Sequence, residues 1–285
     1  MKKNIFGTSL FLILLLVSGC FKKRIYMLPN YAHNQKPITI FIHGTLPPLI
    51  DKLIHMVDVP LGLTPATVLD KKFLLQRIPS IVSKADPEQF PIDTFYLFGW
   101  SGDLSFEARA QAAWELYKAI KDFSGPITII GHSHGGNVAL ELASYAEKYP
   151  QQLIIERLVL LACPIQSATA EFAQAPLFKK VFSLYALEDM LQILDPQGLY
   201  SETKKRSKSA VVGDLFSQRT LPLYGNVVQA QILMHKQNPW HISFMLPKFL
   251  KQLPAVLDVL AGIPSGTMST VNIPDHGKPY IVKSE

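Results

Sequence analysis

Six short runs rich in β-branched and aromatic residues, separated by longer stretches of helical periodicity, constrain this chain more than any other feature. They are Ile38 to Ile42, Thr94 to Phe98, Ile127 to Ile130, Leu158 to Ala162, Val181 to Ala186 and Val227 to Leu233. Between the second and third, Ser105 to Phe123 brings Phe106, Ala110, Ala113, Leu116, Ile120 and Phe123 to one helical face and ends at Gly125-Pro126. Asn137 to Tyr149 repeats the pattern through Val138, Leu142 and Tyr145, and Pro150 closes it. Leu246 to Ala261 reads as a last helix, kinked at Pro254. The alternation predicts an α/β chain, a mostly parallel sheet of about six strands covered by helices.

Two stretches break the alternation. Residues 46–90 are longer than an ordinary connection and are expected to be a helical insert or a functional flap over the first strand's end. Residues 196–225 are polar and punctuated by Gly and Pro, and 262–285 read as a tail. No internal repeat is visible.

The first twenty residues have a different character. Lys2 and Lys3 precede an unbroken apolar run from Leu10 to Val17, then small residues before Cys20. Eight residues rise only about 12 Å as a helix against the roughly 30 Å of a bilayer core. The pattern is that of a secretory signal peptide. Val17-Ser18-Gly19-Cys20 also resembles the lipobox of bacterial lipoproteins, in which the cysteine is acylated and becomes the mature N-terminus. The resemblance implies a leader over 1–19, a lipid anchor at Cys20, a tether over 20–35, and a place in a bacterial cell envelope, facing the periplasm or the exterior. A plain signal peptide with a chance cysteine is the alternative.

Composition narrows the function classes. The chain has 285 residues, of which 48% are apolar, too many for a disordered chain and enough for a continuous core. The net charge of +6 becomes +4 without residues 1–19, too little for nucleic-acid binding with no basic stripe. The one dense basic run, Lys204-Lys205-Arg206 with Lys208, reads as a solvated loop or a contact with anionic headgroups. With Cys20 acylated, Cys163 is the single remaining thiol, and at the end of an apolar run it reads as a small buried hydrophobe.

The chemistry is concentrated in Ile127 to Val138, where a β-branched strand meets Gly131-His132-Ser133-His134-Gly135 and then a helix start. A strand turning directly into a helix forces strained torsions at the bend, and glycines at 131 and 135 remove the side chains that would collide. Ser133 is thereby lifted clear of the sheet, with the first amides of the helix facing any negative charge that develops beside it. A serine needs a base. In this topology the base follows the last strand, in the chain order nucleophile, acid, histidine. Of eight histidines, His241 lies after the Val227 to Leu233 run; His235 competes but sits close to the strand end. His132 and His134 flank the nucleophile on a turn too tight to reach its hydroxyl. The acid is expected after Val181 to Ala186, at Asp189, with Asp195 and Glu188 as alternatives; the competing reading of Asp189 is a helix N-cap with no part in catalysis. The oxyanion donors are expected to be the backbone amides of His134 and of Thr45, which follows His43-Gly44 at the first strand's end. Trp100, after the second run, is a candidate pocket wall.

With these residues in view, the chain resembles the α/β-hydrolase superfamily and, within it, the lipase and serine-esterase branch, over roughly residues 36–261. The resemblance rests on His43-Gly44, on Gly131-His132-Ser133-His134-Gly135-Gly136, on Asp189 and on His241. It implies an α/β-hydrolase fold with a lid after the first strand, and a serine hydrolase acting on carboxylic esters through an acyl-enzyme, acyl lipids being the expected class. A thioesterase or acyltransferase would use the same triad, and a catalytically silent scaffolding lipoprotein is the reading from another class. No cofactor and no metal is called for, the expected partners are a small-molecule or lipid ester and a membrane, and the oligomeric state stays open.

Overall fold

The computed structural model describes residues 36–45, 59–149, 153–194 and 216–284. Cys20, the tether, residues 46–58 of the expected flap, Asp195 and the Lys204 to Lys208 run lie outside them. Among the described residues no helix is long and apolar enough to cross a membrane.

The strands are β1 (Ile38–Ile42), β2 (Gly62–Pro65), β3 (Phe95–Gly99), β4 (Ile127–His132), β5 (Ile155–Leu161), β6 (Phe178–Tyr185), β7 (Val227–Met234), β8 (Thr267–Ile273) and β9 (Tyr280–Ser284). They form one sheet in the order β2-β3-β1-β4-β5-β6-β7-β8-β9. The pairs from β3 to β8 are all parallel, while β2 and β9 join the two edges antiparallel. The result is one mixed, mostly parallel sheet with helices packed on both faces.

The pleat explains why these strands read as continuous apolar runs. Ile38, Ile40 and Ile42 of β1 and Ile127 and Ile129 of β4 enter one core layer, whereas Phe41 and Ile130 enter the other. The first layer is closed by α2 (Phe106–Ile120) through Ala113, Leu116 and Ile120, and by α3 (His134–Lys148) through Val138 and Leu142. The second is closed by α1 (Leu74–Ala85) through Leu75, Ile78 and Val82, by α5 (Pro247–Leu250) and by α6 (Leu253–Ala261). Ser105 starts α2, its hydroxyl accepting the Ala108 N–H at 2.9 Å.

Four expectations are corrected. The sheet has nine strands rather than about six. The stretch 46–90, expected as a helical insert or a flap, does hold a helix, α1, but its described part also returns to the sheet, as β2 at the edge, and packs α1 on the core. Pro79 inside α1 obscured the helix, although its apolar residues keep helical spacing. The expected tail over 262–285 contributes β8 and β9 to the sheet. The kink at Pro254 is a break: α5 ends at Leu250, and α6 restarts with the proline in its first turn, where no N–H is needed.

Candidate active site

Because the central strands are parallel, β1, β4, β6 and β7 all deliver their following residues to one edge of the sheet. At β4 the chain turns into α3 with a single residue between them. Ser133 takes φ 52° and ψ −132°, a conformation costing an L-residue roughly 1–3 kcal/mol. Its N–H is tied to the Leu161 carbonyl of β5 at 2.9 Å, so the neighbouring strand holds the strained residue in place. A Cβ at Gly131 would lie 2.7 Å from Gly136 Cα, and one at Gly135 would run into the Ile42 and His43 carbonyls. Both glycines are therefore needed for the backbone to pass itself and the end of β1.

Asp189 and His241, the residues expected as acid and base, lie in contact. The short helix α4 (Met190–Ile193) follows β6, and Asp189 is its N-cap. Its Oδ1 accepts the Gln192 N–H at 3.2 Å, and its Oδ2 lies 2.7 Å from His241 Nδ1. One oxygen thus caps the helix while the other faces the imidazole. The carboxylate is 1% exposed and the His241 side chain 14%. Glu188 points to solvent. With Nδ1–H donated to Asp189, His241 Nε2 is the nitrogen left to accept a proton. Asn238 links the two loops, its Oδ1 accepting the Leu187 N–H at 3.2 Å and the Gln231 Nε2–H at 3.3 Å.

His241 sits beside the turn at Ser133. The rings of His132 and His241 have centroids 4.9 Å apart, and His132 Nε2 is 3.2 Å from the His241 carbonyl oxygen. A carbonyl only accepts, so His132 carries its proton on Nε2. Burial, reinforced by His241, pushes the His132 pKa well below 6.5 and keeps the ring neutral. The sequence excluded His132 as a base for Ser133, and no signal in it pointed to this contact.

His235 is held elsewhere. Its N–H donates to Ile273 of β8, and its Nδ1 faces Asp275 at 2.9 Å with Lys248 Nζ at 3.3 Å.

Opposite the serine, β1 ends in His43-Gly44-Thr45. A Cβ on Gly44 would be 2.6 Å from Ser133 Cβ and 3.2 Å from its Oγ, so the chain there lies against the nucleophile. Thr45 is the next residue, with its Oγ1 buried and making no hydrogen bond among the described residues. His134 opens α3 at the helix's positive end. His43 fixes the approach: its Nδ1–H donates to the Gly44 carbonyl at 2.7 Å and its Nε2 accepts the Trp100 N–H at 3.2 Å. Full burial pushes its pKa down to about 4, leaving it neutral and able to fill both roles.

Trp100, expected as a candidate pocket wall, packs inward. It is 5% exposed, stacks on His43 at 5.8 Å and donates its indole N–H to the His43 carbonyl at 2.8 Å. Packing from β3 has turned it inward as a brace for the β1 end. Cys163 is a buried thiol, 1% exposed.

A cavity of about 590 Å³ adjoins the acid loop, lined by Tyr185, Leu187, Leu194, Phe216 and Met268 among others. The large apolar side chains exposed nearby are concentrated on the two loops that carry the pair: Leu187, Met190, Leu191 and Leu194 around Asp189, and Trp240 and Ile242 around His241.

No family is matched by the sequence, and no curated protein is similar to it. Among solved structures it is similar to a hyperthermophilic esterase from the archaeon Pyrobaculum calidifontis, at 13% identity over 85% of this chain and 68% of that one, with a TM-score of 0.33. A second is the carboxylesterase CesB (YbfK) from Bacillus subtilis, at 12% identity over 86% and 78%, with a TM-score of 0.32. These overlaps are too loose to bear on the role of any residue.

Proposed function

We propose that the protein is a serine hydrolase of carboxylic esters, with Ser133 as nucleophile, His241 as general base and acid, and Asp189 as the group that orients the base. The observation that carries this reading is the His241 Nδ1–Asp189 Oδ2 contact of 2.7 Å, on a buried carboxylate, beside a serine at φ 52° between a strand and a helix. His241 Nε2 takes the Ser133 proton while Oγ bonds to the ester carbonyl carbon, and the carbonyl electron pair moves onto oxygen. Thr45 and His134 amides receive that oxyanion. Collapse expels the alcohol, which takes the proton from His241. Water activated by the same imidazole then frees the acid and Ser133.

Labelling by a fluorophosphonate tests the reading directly. Wild type is expected to be labelled and Ser133→Ala not; an unlabelled, folded wild type would favour the silent scaffold instead.

The substrate class we propose is an ester with a medium or long acyl chain. Its support is the apolar side chains exposed on the acid and base loops and the cavity of about 590 Å³ beside them. Rates across a series of p-nitrophenyl esters are expected to rise beyond acetyl, and activity confined to acetyl defeats the proposal. Anchoring through an acylated Cys20 belongs to the same reading. Mass spectrometry of the mature N-terminus and release of a Cys20→Ser variant from the membrane fraction are its tests.

A further inference from the structure

The side chain of His132 has no part in the steps above, yet it is placed against the base. It is 2% exposed at the last position of β4, one bond from the nucleophile. Its Nε2–H reaches the His241 carbonyl oxygen at 3.2 Å across 109 residues of chain, and the two rings meet at 4.9 Å with planes at 58°. Its Nδ1 is buried and has no hydrogen-bond partner among the described residues.

His241 begins a short 3-10 turn, His241–Met245, on the loop after β7. Asp189 holds its ring at Nδ1 but leaves its backbone to the loop. The contact from His132 supplies what Asp189 cannot: it ties the backbone of the base to the strand end that carries Ser133. We propose that His132 is a positioning residue for the catalytic base, donating from Nε2 to the His241 carbonyl so that Ser133 and His241 are set from the same end of β4. This rests on the reading of Ser133 and His241 as nucleophile and base.

The choice of histidine has a physical cause. The position needs a flat ring to pack on His241 and one N–H to reach its carbonyl. It must also carry no charge, because a cation there would oppose the imidazolium that forms on His241 during proton transfer. Burial provides the last condition. The unpartnered Nδ1 is a standing cost to folding that packing alone does not require, since a phenylalanine of similar shape would remove it together with the donor.

The test uses the folded protein with p-nitrophenyl butyrate as probe ester. Because a displacement of about 1 Å in a reacting group is enough to cost about 100-fold, His132→Phe is expected to lower kcat by about that factor with KM nearly unchanged. Its unfolding midpoint in urea is expected to equal or exceed wild type. The low-field proton resonance of the His241–Asp189 contact is expected to broaden or vanish in the same variant. His132→Gln, which restores an N–H donor, is expected to recover much of the loss. In a His241→Ala background, His132→Phe is expected to cost nothing further, since the residue acts through the base. An unchanged kcat, a resonance as sharp as wild type, no recovery in the Gln variant, or a full additional loss without His241 overturns the assignment. The 15N shifts of wild-type His132 give a reading that needs no variant: an Nε2–H tautomer is expected, and an Nδ1–H tautomer overturns it. A wild type that neither hydrolyses the ester nor takes the fluorophosphonate defeats the hydrolase reading instead, while the resonance and the tautomer still decide whether His132 holds His241.

Discussion

Among the described residues two histidine–aspartate contacts are of nearly equal length, His241–Asp189 at 2.7 Å and His235–Asp275 at 2.9 Å. The side chains of the first are 14% and 1% exposed, those of the second 24% and 64%. Distance therefore does not separate them. Asp189 is shielded from water and held at its second oxygen by the first turn of α4, so its charge can be directed at one imidazole. Asp275 is open to solvent and shared with Lys248 at 3.6 Å, so water and a competing cation weaken whatever it does for His235. His235 is also anchored by its backbone to β8, whereas His241 lies against the Ser133 turn. The contrast shows that burial and placement, not contact distance, distinguish the two pairs.

The comparison breaks most sharply at the bases. His241→Ala is expected to lower ester hydrolysis by about five to six orders of magnitude, as loss of the base does in a well-studied serine protease, while His235→Ala stays within about threefold. The reverse outcome would move the base to His235. Next come the carboxylates. Asp189→Asn should keep the shape of the site and yet cost kcat about 10⁴-fold, because the amide no longer selects the Nδ1–H tautomer, whereas Asp275→Asn should leave kcat nearly unchanged. Steady-state rates on one ester measure both.

A smaller effect extends the contrast to a buried histidine with no carboxylate. The pKa of His43 in the folded protein, about 4, lies below its ordinary 6.5. Between those values the unfolded chain binds the extra proton, so stability rises with pH. The contribution is complete above pH 6.5 and is lost as pH falls towards 4, amounting to roughly 3 kcal/mol. His132, also lowered by burial, acts in the same direction. Urea unfolding at several pH values is expected to show this slope flattened in His43→Asn. An equal slope in the variant would place the acid sensitivity elsewhere.

Much of the site was legible before any coordinates. Six of the parallel strands were recognisable because both faces are covered, so their residues are mostly apolar and β-branched or aromatic and no packing information is needed to find them. The elbow at Ser133 was legible because its glycines are demanded by local geometry. That Asp189 and His241 would come together was expected from chain order along a parallel sheet, and the two are in contact. The parts that were not legible share a different physics. β2 and β8 carry Thr64, Ser269 and Asn272 and β9 is a short, exposed edge strand, so none shows the long apolar run of a strand buried on both faces. Trp100 had the right address for a pocket, but its neighbours drew it inward onto His43.

Residue order alone determined where this backbone must bend at 133 and which residue types arrive at the carboxyl edge of the sheet, since both follow from sterics and periodicity acting over a few residues. Which carboxylate is dry, which histidine leans on His241, and that one aspartate serves a helix and an imidazole at once were decided only by tertiary structure. Those facts depend on ångström-scale approaches between segments 50 to 110 residues apart, as in the Asp189–His241 and His132–His241 contacts, and no spacing along the chain encodes them.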